Sequence, residues 1–403
     1  MKNHTNRQKI KEVLTRGVET VYPNPKLLEK KMTSGKRLKL YCGYDPSSPS
    51  LHIGHMITLL KLGQFQKLGH EVIMLIGDFT GMIGDPTDKT AARKKLTRKE
   101  VLKNSENYKK QASRVLNFTG SNPAKILYNS KWSDKLSFAD LIELTSNFTV
   151  QQMIVRDFFQ ERIKKKKPIY LHEFLYPIAQ AYDSLAMDVD LEIGGKDQTF
   201  NMLCGRDLMR IVKNKEKMVL TTKLLTDPTG KKMGKTEGNI INIDTKPEEM
   251  FGKIMAWPDS IIILGLELCT KLPMSEIKEI STRLKKRKEN PREAKARLAK
   301  EIVAICHNKK AADKAEREFN KVFKERELPS IIPEIKIKEK TLNILDLLVR
   351  LKLASSKSEA KRLVLQKGVK INRRVWEDWR EKVKIKKGLI VQVGKRKFAK
   401  ISR

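Results

Sequence analysis

The sequence predicts an α/β fold with a doubly wound parallel sheet, followed by an α-helical domain and a small α+β tail. Three patterns indicate this. Short apolar runs alternate with helical spacing over residues 38–230, helical spacing fills residues 274–327, and residues 341–403 mix short helices with strands. Strands separated by crossover helices are typical of parallel sheets. A chain of 403 residues suits two or three such domains.

The first region places two loops at one edge of the predicted sheet. Residues 38–42 (LKLYC) are typical of a strand, with a helix expected from about His52, and residues 72–76 (VIMLI) predict a fully buried strand. Ligands bind beyond the carboxyl ends of parallel strands, where the strand order reverses. The loops at 43–55 and 77–93 follow these strands, so we expect them at the ligand-binding edge.

The predicted boundaries follow from changes of pattern further along the chain. The run Asn290-Pro291-Arg292-Glu293 combines an N-cap, a first-turn proline and an acidic first turn, which predicts a helix start. Pro329 and Pro333 interrupt the helical spacing. The sequence therefore predicts domains at 1–245, 246–330 and 341–403, with a linker at 331–340.

Composition points to a polyanionic partner and against a membrane. The net charge is +37, from 84 Lys and Arg against 47 Asp and Glu, and neutralised phosphates release counterions. An AT-rich genome would also enrich lysine, so charge alone does not decide for nucleic acid. The sequence has no apolar run long enough to span a bilayer and no apolar stretch at its start, so a cytoplasmic protein with no membrane partner is expected. Four cysteines without metal-ligand spacing predict buried free thiols and no metal site.

The segment from Asp45 to His55 (DPSSPSLHIGH) is the first candidate binding motif. His52 and His55 stand three residues apart at a predicted helix start, so they share a face. Free N–H groups and the dipole make a helix N-terminus suited to phosphate, and Gly54 leaves room for a flat base to approach the backbone. Alone, the two histidines are weak evidence for such a site, because metal binding or simple helix capping would be commoner explanations.

A second basic motif follows much later, at Lys232-Met-Gly-Lys235-Thr236. A mobile loop with two lysines can deliver both ammonium groups to a triphosphate and then release it. Alone, this is ordinary basic loop composition. Together, the two motifs resemble the HIGH and KMSKS signatures of class I aminoacyl-tRNA synthetases. The second departs from KMSKS at Gly234 and Thr236, but keeps both lysines and the final hydroxyl.

A polar helix face then indicates the amino acid. Tyr176, Gln180 and Asp183 occur at i, i+4 and i+7, on one helix face. The alternative is a solvated helix face, but the apolar neighbours favour a polar pocket. This segment resembles the tyrosine pocket of bacterial tyrosyl-tRNA synthetases, and the resemblance spans roughly residues 35–245. The same family is indicated by the segments YCGYD at 41–45, GDP at 84–86 and GGKDQ at 194–198.

The resemblance implies a Rossmann-like catalytic domain at 1–245 and a role for each matching residue. Tyrosine would be bound by Tyr41 and Asp183 at its phenol, by Asp85, Tyr176 and Gln180 at its ammonium group, and by Gln198. ATP would be bound by Gly43, Asp45, Ser47, His52, Gly54, His55, Gly195, Asp197 and Lys235, and the catalytic groups would be His52, His55, Lys89, Arg93, Lys232, Lys235 and Thr236. ATP is then a substrate, Mg²⁺ rides on its phosphates, and the partner is tRNA(Tyr). Glu192 stands where many family members have glutamine, so the resemblance gives it no role.

The last 60 residues give a separate RNA-binding prediction. The amphipathic basic run at 345–362 and the turn into a strand at 368–372 resemble a small RNA-binding fold, found in a ribosomal small-subunit protein and in bacterial tyrosyl-tRNA synthetases. By that resemblance Lys357, Lys361 and Arg362 meet RNA phosphates; a generic basic tail is the alternative. The resemblance further implies that residues 246–330 bind the anticodon stem and that the chain forms a homodimer.

Two rival functions remain open from sequence. A tryptophanyl enzyme would share the scaffold, but the Tyr41 and Asp183 pair favours a phenol. A non-catalytic RNA-binding protein would need neither histidine of the first motif nor the lysines of the second.

Overall fold

The chain folds into two compact units, residues 1–309 and 310–403. The computed structural model describes residues 7–87, 95–230, 232–233, 240–323, 332–394 and 397–402.

A six-stranded sheet forms the centre of the first unit. Its strands are β1 (Val18–Tyr22), β2 (Lys39–Tyr44), β3 (Glu71–Ile76), β4 (Lys125–Tyr128), β5 (Leu191–Gly195) and β6 (Met218–Thr222). The order is β1-β6-β5-β2-β3-β4, with β2 to β6 parallel and β1 antiparallel at the edge. The chain moves outward from β2 to β4 and then returns to the other side of β2. The predicted doubly wound parallel sheet is confirmed, and its switch point lies between β2 and β5.

Helices surround this sheet. They are α1 (Arg7–Thr15), α2 (Pro25–Thr33), α3 (Ile53–Lys67), α4 (Thr80–Ile83), α5 (Arg98–Ser105), α6 (Tyr108–Ala112), α7 (Ser130–Ser133), α8 (Phe138–Thr145), α9 (Val150–Ile154), α10 (Asp157–Lys164), α11 (Leu171–Met187) and α12 (Thr199–Lys213). Helix α3 is buried nearly all round because it packs on the sheet and also beneath later helices. Helix α11 carries the predicted polar face, and it packs along α12.

The predicted helical region continues in the same compact unit. It contains α13 (Pro247–Met255), α14 (Ile262–Cys269), α15 (Met274–Lys285) and α16 (Pro291–Cys306). The predicted start of α16 is confirmed, since Asn290 Oδ1 accepts from the N–H of Arg292 at 2.9 Å. Arg16 ties this region to the N-terminal segment by donating to the carbonyl oxygens of Leu272 at 2.6 Å and Thr270 at 2.7 Å.

The second unit has its own core and its own sheets. It contains α17 (Lys309–Phe323, whose first residue falls in the first unit), α18 (Ile344–Arg350), α19 (Lys357–Leu365), β7 (Glu334–Lys336), β8 (Thr341–Asn343), β9 (Val369–Ile371), β10 (Arg374–Val375), β11 (Lys382–Lys384), β12 (Ile390–Val393) and β13 (Lys397–Ser402). Five strands form a sheet in the order β10-β9-β12-β13-β7, while β11 pairs with β8. Leu347, Leu348, Val364, Val391 and Ile401 are fully buried between the helices and this sheet. The predicted small α+β domain is therefore present.

The stretch predicted as a linker, 331–340, is different in the structure. It holds β7, which pairs in parallel with β13 at the end of the chain. Pro333 precedes the strand and leaves its ladder intact, and Ile337 is buried just after it. Pro333 therefore precedes a strand, and residues 334–336 form β7 rather than a linker, whereas Pro329 lies outside the described residues.

Among the described residues, no helix combines the length and the hydropathy that crossing a bilayer requires.

Candidate active site

A cavity of about 230 Å³ opens at the carboxyl edge of the sheet, beside the switch point. Residues from β2, β5, α11, the start of α3 and the loops after the strands line it. It collects these residues of the sequence prediction: Tyr41, Gly43, Asp45, Ser47, His52, Gly54, His55, Asp85, Tyr176, Gln180, Asp183, Gly195, Asp197, Gln198 and Lys232. Glu192, to which the family resemblance assigns no role, also lines it. Residues far apart in the chain meet here because parallel strands end at one edge.

The innermost end of the cavity is formed by two buried side chains, Tyr41 and Asp183. The carboxylate of Asp183 accepts from Trp132 Nε1 at 2.7 Å and from Asn129 Nδ2 at 3.2 Å. The hydroxyl of Tyr41 lies 2.9 Å from Ser184 Oγ. A phenol and a carboxylate thus face one buried space, which suits a ligand that both donates and accepts a hydrogen bond.

Burial raises the pKa of Asp183 well above the usual range of a carboxyl. The N–H donors of Trp132 and Asn129 act against this shift, whereas the charges of Glu192 and Asp45 add to it. A carboxyl buried this way is costly to ionise. A ligand hydroxyl that donates to it offsets part of that cost.

Asp45 is fixed by donors from two elements. Its Oδ1 accepts from Thr80 Oγ1 at 2.7 Å, and its Oδ2 accepts from the hydroxyl of Tyr176 at 2.7 Å. Gly77 is required here, because a Cβ at this position would lie 2.0 Å from Asp45 Oδ1. The loop after β3 therefore closes tightly over the end of β2.

Asp85 is held in a second polar chain. Its Oδ1 accepts from the N–H of Thr87 at 2.9 Å and from Thr87 Oγ1 at 2.6 Å, while its Oδ2 accepts from Gln198 Nε2 at 2.8 Å. Behind Thr87, Arg156 donates to Thr87 Oγ1 at 2.8 Å and stacks between Phe158 and Phe200. The position of Asp85 thus depends on a buried guanidinium outside the cavity.

The two histidines of the first motif stand at the N-terminus of α3. Their rings stack with centroids 3.8 Å apart, and His55 Nδ1 accepts from the N–H of His52 at 3.1 Å. A Cβ on Gly54 would lie 2.8 Å from His52 Cε1, so glycine allows this ring position. Both imidazoles and the helix dipole therefore face the cavity together, an arrangement suited to phosphate.

Lys232, the first residue of the second motif, comes to the same place. Lys232 Nζ donates to Asp197 Oδ2 at 2.6 Å, directly after β5. Beyond the motif, the N–H of Ile53 donates to the carbonyl of Ile241 at 3.0 Å. The chain at Ile241 is thereby anchored to the start of α3, and Lys232 lies in the cavity that the first motif lines.

Four predicted residues, Lys89, Arg93, Lys235 and Thr236, lie outside the described residues. Lys357, Lys361 and Arg362 lie on α19 of the second unit. Sequence reasoning missed four residues that build the innermost end: Asn129, Trp132, Ser184 and Lys217. Asn129 follows β4 and Ser184 follows Asp183, so position gave some signal for these two. No sequence pattern indicated Lys217, because lysine is abundant throughout this chain.

Comparison with known proteins identifies the family. The model of "tRNA synthetases class I (W and Y)" matches residues 33–324, and that of the "Tyrosine--tRNA ligase SYY-like C-terminal domain" matches residues 323–401. The tyrosine–tRNA ligase of Moorella thermoacetica is 44% identical over 393 residues, covering 96% of this chain and 94% of that protein. The tyrosine–tRNA ligase of Thermotoga maritima is 43% identical over 392 residues, covering 97% and 96%. The chain belongs to the bacterial tyrosine–tRNA ligases.

Solved structures agree with this membership. A C-terminally truncated mitochondrial tyrosyl-tRNA synthetase from Coccidioides posadasii superposes with a TM-score of 0.64 at 25% identity, covering 77% of this chain and 91% of that one. The tyrosyl-tRNA synthetase of Archaeoglobus fulgidus, solved with L-tyrosine, gives a TM-score of 0.60 at 21% identity, covering 77% and 100%, and shows the shared fold. As a member of this family, the chain is an aminoacyl-tRNA synthetase that uses ATP as a substrate.

The raised pKa of Asp183 predicts a pH dependence for tyrosine use. As the pH falls through that pKa, the carboxyl gains a proton and no longer acts only as an acceptor, so the KM for tyrosine is expected to rise toward acid. The effect on folding has the opposite sign: a group whose pKa is raised by folding holds its proton more tightly in the folded state. The contribution of Asp183 to stability therefore declines as the pH rises from its unfolded pKa through its folded pKa.

Tyrosine-dependent ATP–pyrophosphate exchange across the acidic and neutral range measures this KM. Asp183→Asn cannot titrate at this position. Its KM for tyrosine should be higher than that of the wild type and should change less with pH. A wild-type KM that falls toward acid would contradict the assignment.

Proposed function

We propose that this cavity activates tyrosine with ATP, forming tyrosyl-adenylate and pyrophosphate, and then transfers tyrosine to the 3′ end of tRNA(Tyr). The observation that carries the proposal is the pair of Tyr41 and Asp183 at the buried innermost end. A substrate phenol placed there donates to Asp183 and accepts from Tyr41. Phenylalanine would leave both groups unpaired, and a site built to bond a hydroxyl rejects an analogue that lacks it.

The substrate ammonium group then lies near Asp85, Tyr176 and Gln180. Asp85 supplies the negative charge, and its hydrogen bonds with Thr87 and Gln198 fix its direction. This orients the tyrosine carboxylate toward the histidines at the start of α3. The indole ring of tryptophan carries its N–H at a different position from the phenol hydroxyl, so it would not match Tyr41 and Asp183. This favours tyrosine over that rival substrate.

ATP lies between the first motif and the second. The N-terminus of α3, His52 and His55 lie on one side, and Lys232 lies on the other. The family resemblance assigns phosphate binding also to Lys89, Arg93, Lys235 and Thr236, which lie outside the described residues. The tyrosine carboxylate attacks the α-phosphorus, so no protein nucleophile is needed. Catalysis comes from positioning and from stabilising charge on the phosphates. Mg²⁺ enters on the phosphate oxygens of ATP, which it prefers to an all-protein cage.

Tyrosine-dependent ATP–pyrophosphate exchange tests this proposal. We expect exchange with tyrosine, and little with tryptophan or phenylalanine. Asp183→Ala should lower kcat/KM for tyrosine by about a hundredfold or more, as the loss of a buried charge-assisted hydrogen bond does. Asp207→Ala, which removes an exposed carboxylate on α12, is the matched control and should keep full activity.

Each outcome has a definite meaning. Exchange with tryptophan instead of tyrosine would overturn the substrate assignment. Folded protein that gives no exchange with any of the three would favour RNA binding without catalysis.

We propose that the catalytic unit forms a homodimer through an apolar surface on α8 to α11. Large apolar side chains there are exposed, including Phe138 at 78% and Leu171 at 84%, with Ile142, Val150 and Val155 also exposed. Phe138 borders a groove of about 690 Å³ lined mainly by apolar side chains. Large exposed apolar patches mark interaction sites, and a two-fold dimer covers the same patch on both copies.

Phe138→Asp combined with Ile142→Asp should convert the dimer to a monomer, because each copy would have to bury two carboxylates in the interface. Sedimentation analysis measures the mass. Leu102→Asp, an exposed apolar residue on α5 outside this surface, is the control and should remain dimeric. A wild-type monomer, or an unchanged dimer in the double variant, would contradict the proposed interface.

We propose that tRNA is bound by the second unit and by the helical region at 246–330. On α19, Lys361 lies with its Nζ 4.1 Å from the ring centroid of Trp379, and Lys357 pairs with Asp346 at 2.7 Å on the surface. Exposed basic residues such as Lys278 and Arg283 on α15 offer a further phosphate-binding face for the anticodon stem. Use of tRNA also fits a cytoplasmic location, as do four free, buried cysteines, all in the described part of the chain.

Replacing Lys357, Lys361 and Arg362 by glutamine should weaken tRNA(Tyr) binding and reduce the slope of log K against log salt. The expected change is about one unit for each lost phosphate contact. Tyrosine-dependent exchange should not change. Lys26→Gln with Lys30→Gln and Lys99→Gln removes the same charge from the exposed surface of the first unit and is the control. Equal losses in both triple variants would indicate bulk charge rather than a site on α19.

A further inference from the structure

A buried ammonium group lies directly behind the innermost end of the cavity. Lys217 is 0% exposed and precedes β6. Its Nζ donates to Glu192 Oε2, to Ser184 Oγ at 2.8 Å and to the carbonyl of Met202 at 3.2 Å. An ammonium group has three N–H donors and no lone pair, so these three acceptors use all of them.

This arrangement fixes the direction of the next hydrogen bond. Ser184 accepts from Lys217 and has one proton of its own to donate. It has two candidate acceptors, the hydroxyl of Tyr41 at 2.9 Å and Glu192 Oε2 at 3.4 Å. The Tyr41 oxygen is closer, and Glu192 Oε2 already accepts from Lys217. A neighbouring positive charge also makes a hydroxyl a better donor and a poorer acceptor.

We propose that Lys217 is a positioning residue that sets the hydrogen-bond polarity of the tyrosine site. Ser184 donates to Tyr41, Tyr41 donates to the substrate phenol oxygen, and the substrate hydroxyl donates to Asp183. The chain begins at a group that only donates and ends at a carboxylate that only accepts. With the polarity reversed, the Tyr41 proton would point to Ser184, and Tyr41 and Asp183 would compete for the one proton of the substrate. The inference rests on the proposed assignment of Tyr41 and Asp183 to the substrate phenol.

Glu192 has two roles in this network. Its Oε2 neutralises Lys217, which would otherwise be a buried unpaired charge. Its Oε1 accepts from Gln180 Nε2 at 2.9 Å, and Gln180 lines the cavity toward the ammonium end. One buried ion pair therefore orients side chains at both ends of the substrate.

The polarity should appear as selectivity between tyrosine and phenylalanine. Tyrosine uses the proton that Tyr41 directs into the cavity, whereas phenylalanine has no oxygen to accept it. Loss of this polarity should lower kcat/KM for tyrosine and leave that for phenylalanine nearly constant. A general loosening of the fold would lower both.

The test compares Lys217→Met and Ser184→Ala with wild type in ATP–pyrophosphate exchange. Both variants should lower the tyrosine-to-phenylalanine ratio of kcat/KM by about 10- to 100-fold, mostly through the KM for tyrosine. The KM for ATP should stay constant. Lys213→Met, which removes a partly exposed lysine at the end of α12, is the control and should keep the wild-type ratio.

A double variant separates polarity from charge. Lys217→Met leaves Glu192 unpaired, whereas Glu192→Gln with Lys217→Met removes both charges and gives Ser184 an amide N–H donor. This double variant should recover at least part of the lost ratio. If Lys217→Met fails to fold, the tyrosine-to-phenylalanine ratio of Ser184→Ala tests the proposal instead, because this variant leaves no buried charge unpaired.

The results distinguish two kinds of failure. An unchanged ratio in folded Lys217→Met and Ser184→Ala, or equal losses for both amino acids, would overturn the role of Lys217. Absence of tyrosine-dependent exchange in the wild type would instead overturn the proposed function.

Discussion

The buried carboxylate of Asp183 is the constraint on which the rest of the site depends. A carboxylate this deep loses most of its hydration, and the surrounding structure replaces water with fixed donors. Trp132 and Asn129 supply these donors from the segment after β4, while Tyr41 faces the same space from β2. Helix α11 must therefore pack close to the carboxyl ends of both strands. The burial of Asp183 therefore explains both the depth of the cavity and the polar side chains at its innermost end.

The burial of Asp183 lowers the stability of the folded protein but provides the acceptor that the site needs. A raised carboxyl pKa means that ionising Asp183 costs more free energy in the folded protein than in the unfolded chain. An apolar residue at position 183 would relieve that cost but would remove the acceptor that a phenol needs. The buried ion pair of Lys217 and Glu192, which lies behind the cavity, poses the same conflict. Buried ion pairs are often no more stabilising than apolar packing. Their orientation of neighbouring groups gives a reason for keeping them.

The sheet topology brings the two ends of the reaction together. β2 and β5 are neighbours although most of the catalytic unit separates them in sequence. Consequently the histidines that follow β2 and the aspartate that follows β5 share one cavity. The hydrogen bond of Ile53 with Ile241 then fixes where the segment carrying Lys232 rejoins the sheet edge. Positioning of this kind suits a reaction in which the substrate supplies its own nucleophile.

The sequence by itself determined the local chemistry of this protein. Alternating apolar runs predicted the parallel sheet, and the spacing of Tyr176, Gln180 and Asp183 predicted one polar helix face, because both depend only on strand and helix periodicity. The tertiary structure alone decided pairing and burial. Residues 334–336 form a strand because their partner lies at the other end of the second unit, and Lys217 is buried because β6 lies next to Glu192 on β5. Neither fact follows from local spacing, since hydrogen-bond partners and desolvation are set by segments distant in the chain.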